Sequence, residues 1–78
     1  MTEYTPIDCG LHSEYELAII QQRKLRVSWT DPSGQSHIEI LQPMDLISRH
    51  HEEFMLAETN IHKIIEIRLD YINKTYIF

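Results

Sequence analysis

Hydrophobic and polar residues follow two different periods along this chain. From Ser13 to about Gln22 the apolar positions recur at helical spacing. Leu17 and Ile20 share one side, and Tyr15 and Ile19 share another. Ser13-Glu14-Tyr15-Glu16 fits a capping box, in which the serine caps the first turn and the glutamate three residues on reaches back. The helix is therefore predicted to start near Ser13. Before it, Tyr4 to Gly10 reads as extended, because Pro6 fixes its own φ and pushes Thr5 out of the helical region. A short helix on a small domain buries one stripe, so one of the two apolar pairs is left partly exposed as a contact face.

After the helix the period changes to two. Leu25, Val27 and Trp29 alternate with Arg26, Ser28 and Thr30, which predicts a half-buried strand. Asp31-Pro32-Ser33-Gly34 is a turn. His37 to Leu41 alternates again, with Ile38 and Ile40 expected inward and Pro43 ending the strand. Asp45 to Arg49 reads as a connecting turn, with Leu46 plugging the core. Glu53 to Ala57 is a third strand, followed by a turn at Thr59-Asn60. Ile65, Ile67 and Leu69 mark a fourth strand, and Lys74 to Phe78 adds a short fifth. The predicted fold class is α+β, mainly β: one N-terminal helix and four to five antiparallel strands. A sheet so small tends to curl into a small barrel or a bent sheet.

Composition narrows the picture. The 78 residues make one domain, 1–78, with a thin core. Apolar residues are 42% of the chain and charged residues 24%, which points to a folded domain. No apolar run is longer than Leu17-Ala18-Ile19-Ile20, far short of the roughly 20 residues a membrane span needs. The N-terminus carries Glu3 and Asp8 and no basic, apolar leader, so a signal peptide is not expected. Cys9 is the one cysteine, so no intrachain disulfide forms, which fits a reducing cytoplasm. The formal net charge is −5. Four acids (Glu3, Asp8, Glu14, Glu16) precede the first basic residue, Arg23, and the remaining eight acids and seven bases nearly balance. That end repels a phosphate backbone and attracts a basic protein surface.

Catalytic and metal chemistry find little footing. Gly10 and Gly34 are the only glycines, too few for a phosphate loop. Cys9 sits among acids, which disfavours a thiolate, so it reads as a small buried residue packing the approach to the helix. His12, His37, His50, His51 and His62 lack the paired spacing of a zinc site, so neither metal nor cofactor is expected. Glu14 and Glu16 suit the helix dipole and are equally suited to pairing with a partner's lysines or arginines. Trp29 alternates in phase with Leu25 and Val27 and reads as core rather than as a base-stacking platform.

Four short motifs occur in order: Tyr4-Thr5-Pro6-Ile7-Asp8-Cys9, Glu16-Leu17-Ala18, Asp45-Leu46-Ile47-Ser48-Arg49, and Glu66-Ile67-Arg68-Leu69-Asp70-Tyr71-Ile72. On these the chain resembles the Rof family, the Rho-binding antiterminators of bacteria, from Tyr4 to about Ile72. The resemblance implies an Sm-like fold, a small bent β-barrel with an N-terminal helix. It implies a bacterial, cytoplasmic, monomeric protein without enzymatic activity. Such a protein binds the termination factor Rho at its N-terminal RNA-binding domain, blocks RNA loading, and makes no direct contact with nucleic acid.

The implied contact residues are Cys9, His12, Ser13 and Glu16, with Arg49, His50 and His51 from the turn after Asp-Leu-x-Ser-Arg. Glu14 is expected to add charge, and Tyr15 or Ile19 apolar contact. The chain departs from the family at His12-Ser13, where a Tyr-Asp pair is common, and at His50-His51, where more basic or amide residues stand. The Asp31 to Gly34 turn is also slightly longer. An Sm-like RNA-binding module is the competing expectation, and a basic, aromatic strand face would favour it.

Overall fold

The computed structural model describes residues 3–77, apart from the side chain of Ile77. Phe78, expected in the last strand, lies outside the described residues. Helix α1 spans Cys9–Ile20 and starts four residues before the expected Ser13. Asp8 is the cap: its carboxylate accepts hydrogen bonds from the backbone N–H groups of Gly10 and Leu11, at 3.1 and 3.4 Å. Gly10 makes room for that carboxylate, since a Cβ there would lie 2.9 Å from Asp8 Oδ2. Ser13 is therefore an exposed mid-helix residue and caps nothing. Beyond Ile20 the chain is capped by Gln21 and turns at Gln22, whose φ is +55°. Arg23 N–H bonds to Ala18 carbonyl at 2.9 Å and Gln22 N–H to Ile19 carbonyl at 3.2 Å, a Schellman closure without glycine.

Five strands follow: β1 (Leu25–Thr30), β2 (Ser36–Arg49), β3 (Glu52–Glu58), β4 (Ile64–Arg68) and β5 (Ile72–Ile77). They form one antiparallel sheet in the order β4-β3-β2-β1-β5. The sheet is open, with β4 and β5 at its edges, so the expected barrel does not close. Leu69 is not part of β4 but opens a 3₁₀ turn, Leu69–Tyr71, that leads into β5.

Two expectations about β2 are corrected. Pro43 does not end the strand, and Asp45–Arg49 is strand rather than turn. The register shifts between Pro43 and Asp45, so the proline sits at a bulge, where a missing N–H costs little. The bulge also lets one strand serve two partners. Residues up to Leu41 pair with β1, and those from Gln42 pair with β3.

The core joins Tyr15 and Ala18 of α1 to Leu25, Val27, Trp29, Leu41, Met55, Ala57, Ile67 and Leu69. Ile38 and Ile40 point outward, against expectation, with Ile38 62% exposed. The β1–β2 register explains this: Leu25 faces Leu41 and Val27 faces Glu39, so the odd-numbered residues of β2 before the bulge take the core side. Leu41 sets the phase, and a one-residue change of phase turns every side chain over.

Candidate functional site

The early start of α1 decides which residues it shows to solvent. Cys9, Ser13, Leu17 and Ile20 follow one another along its outer surface, flanked by Glu14 and Glu16, and all six are exposed. Leu17 is 51% exposed and Ile20 76%. Tyr15 is 1% exposed and packs in the core, so its expected contact role is corrected. Ile19 is half-buried. The apolar pair that the helix exposes is Leu17 and Ile20. The sequence shows both pairs but not which of them goes inside. Cys9 is exposed and free, not the buried packing residue expected.

His12 ties this helix to the sheet. Its Nδ1 lies 2.7 Å from a Glu16 carboxylate oxygen, and its Nε2 lies 2.9 Å from one of Glu53. Partial burial draws its pKa down, but the hydrogen bonds to Glu53 and Glu16 outweigh burial and hold it above the ordinary 6.5. Tyr4 donates from its hydroxyl to the other Glu53 oxygen at 3.3 Å. Burial, with the charge of Glu53 beside it, pushes the Tyr4 hydroxyl up to about 12. His12, Glu16, Ile19 and Ile20 line a groove whose other wall is Asp45, Leu46, Ser48 and Glu53. The groove thus carries three carboxylates and one histidine, with apolar walls.

The β2–β3 hairpin stands beside this groove, because Ser48 pairs with Glu53. Its two tip residues, His50 and His51, have φ of +49° and +65°. Positive φ at both central residues is the pattern of a type I′ hairpin, usually filled by Asn and Gly. Both histidines are exposed. Arg49 turns away from the groove: it pairs with Glu66 on β4 and stacks over Phe54, 4.8 Å from the ring centroid. The structure therefore gathers His12, Glu16 and Ile19 into one groove. It sets Cys9, Ser13 and Glu14 on the helix exterior and His50 and His51 on the neighbouring tip, and it directs Arg49 elsewhere.

A second cluster holds the approach to the helix. Arg68, 5% exposed, pairs with Asp70 through Nε at 2.7 Å and Nη2 at 2.9 Å. Its guanidinium lies 5.4 Å from the Tyr4 ring and 4.7 Å from the Tyr71 ring. Asp70 also accepts the Thr5 N–H at 2.9 Å. Two sequence motifs far apart in the chain, one at Tyr4-Thr5 and one at Arg68 to Tyr71, thus meet and position the first residues of α1. Arg68 is held between Asp70, Glu52 and Tyr71, and the cluster reads as structural.

Among the described residues, no three His, Cys, Asp or Glu side chains are placed to share a metal ion. No described helix is long and apolar enough to cross a membrane.

No family model matches this chain, and no curated relative matches it. Its fold is similar to a solved structure of proteasome accessory factor B/C (PafBC) of Arthrobacter aurescens, with a TM-score of 0.80. The identity is 15%, and the match covers 97% of this chain and 12% of that one. At that identity the likeness speaks of the fold alone.

Proposed function

We propose that this protein is an inhibitor of Rho-dependent transcription termination that docks on the RNA-binding domain of Rho and blocks RNA loading. The reading rests on the motif resemblance. The observation that carries it is the outer surface of α1, where Leu17 and Ile20 stand unpartnered between Glu14 and Glu16. A domain with a thin core leaves two large aliphatic side chains exposed on one helix at a cost, and a partner surface recovers that cost. The flanking carboxylates select the partner. A surface built to hold RNA phosphates is basic, and it attracts an acidic helix.

The hairpin tip beside the groove supplies a second contact through His50 and His51. The Schellman closure at one end of α1 and the Asp8 cap at the other keep the helix in place, so docking needs little ordering. No covalent chemistry is involved; inhibition comes from occupying the site first.

Calorimetric titration of purified Rho tests the reading. The wild-type chain binds, and the Leu17→Ser/Ile20→Ser variant loses at least about tenfold in affinity, or roughly 1.4 kcal/mol. Glu14→Lys weakens binding most at low salt. Equal affinity of wild type and both variants would remove the helix from the interface.

A further inference from the structure

We propose that the pocket between the end of β1 and strands β3 and β4 binds a small organic cation, an aliphatic guanidinium. The pocket has a volume of about 320 Å³, inside the roughly 300–1,000 Å³ range of small-molecule sites. Trp29, Phe54 and Tyr71 bring three aromatic rings to it, from β1, β3 and the 3₁₀ turn. Pro32 and Ile67 add to its apolar wall, and the charged groups on that wall are Asp31, Glu52, Glu66 and Arg68. The pocket lies across β3 from the groove: Glu53 lines the groove, while Glu52 and Phe54 line the pocket.

The walls themselves show how a guanidinium is held. Arg49 lies 4.8 Å from the Phe54 ring centroid and pairs with Glu66. Arg68 lies 4.7 Å from the Tyr71 ring centroid and pairs with Asp70. In both, the cation has a ring on one side and a carboxylate beside it. Counting Arg49 and Asp70 with the wall, four carboxylates (Asp31, Glu52, Glu66, Asp70) are set against two guanidiniums. Glu52 is the carboxylate with room for a further partner. Asp31 is held by His37 at 2.7 Å, and Glu66 by Arg49. The ion pair of Glu52 among the described residues is to Arg68 Nη1 at 3.5 Å, longer than the roughly 2.7–2.9 Å of a close charge-assisted bond. Its side chain is 23% exposed, so solvent and solutes reach it.

This chemistry selects the ligand. The excess of carboxylates repels an anion, a nucleic-acid phosphate included. A neutral apolar molecule would desolvate Glu52 and give it no partner. A guanidinium stacks its flat faces on aromatic rings, offers N–H groups along its edge to Glu52, and keeps its charge at any physiological pH. An aliphatic stem then lies against the apolar wall at Pro32 and Ile67.

Titration of the full chain with n-butylguanidinium tests this. Trp29 is the one tryptophan, so its fluorescence reports on the pocket. The signal should change and saturate, with a Kd of about 1 mM for so small a ligand. Amide NMR shifts should cluster at Trp29, Phe54 and Tyr71. n-Butylurea, which has the same shape and no charge, should bind wild type at least about tenfold more weakly. Glu52→Gln should weaken n-butylguanidinium binding by a similar factor, with unchanged circular dichroism. No saturable change at a large excess of n-butylguanidinium overturns the proposal. So does equal binding of the urea, which needs no variant to measure. NMR shifts confined to His12, Glu16 and Glu53 would place the cation in the groove and also overturn it. Inhibition of Rho by Glu52→Gln is read separately and should be retained, so the two readings fail independently.

Discussion

His12 and Glu53 join the helix to the hairpin across 41 residues of sequence, with Nε2 of the histidine 2.9 Å from the carboxylate. Glu16 holds the other ring nitrogen at 2.7 Å, so the imidazole bridges two elements. The ring is partly open to solvent, which limits the strength of the bridge but not its sign. Because the folded-state pKa is raised above 6.5, the stabilisation is whole below that value. It is lost as pH rises through the folded value. An NMR titration of the His12 ring should give a midpoint above 6.5, and His12→Gln should flatten the fall in stability on the alkaline side. A midpoint at or below 6.5 contradicts the bridge.

The start of the helix gives a second prediction. Asp8→Ala removes the acceptor for two backbone N–H groups and should cost about 1 kcal/mol in urea unfolding. Ser13→Ala, at an exposed mid-helix position, should change stability by less than about 0.5 kcal/mol. The reverse ranking would return the cap to Ser13.

The phase of β2 is testable in the same way. Leu41→Ala empties a fully buried position and should cost about 2–5 kcal/mol. Ile38→Ala, three residues earlier on the outer face, should stay within about 0.5 kcal/mol. Comparable losses at both positions would mean that Ile38 is inside.

These two misreadings show where sequence ran out. The first strand, the 31–34 turn and the third strand follow from local period and turn chemistry and stand where expected, and the one helix is present but starts four residues early. Two caps competed within five residues. Ser13 had the better motif, but Asp8 had the better geometry, because Gly10 leaves room for its carboxylate. In β2, Ile38, Ile40 and Leu41 fit either phase, and pairing with β1, a nonlocal event, decided between them. Pro43 is a strand breaker locally and a bulge residue in context. The candidate site was legible by its charge and its helix. Its apolar pair was not, because burial of Tyr15 depends on what the rest of the core leaves open.

The hairpin tip separates strain from contact. His50 and His51 hold left-handed backbone, which costs an L-residue with a Cβ about 1 kcal/mol or more. His50→Asn/His51→Gly should therefore raise stability by about 1 kcal/mol in thermal or urea unfolding. If the tip touches Rho, the same variant should bind Rho more weakly while being more stable. A variant that is more stable and binds equally well takes the tip out of the interface.

The central claim is that this chain keeps RNA off Rho. The most direct measurement is fluorescence anisotropy of a labelled C-rich RNA bound to Rho, titrated with the folded protein. The account predicts that anisotropy falls towards the free-RNA value, while the protein alone leaves the RNA signal unchanged. RNA that stays on Rho at large excess of folded protein would contradict it.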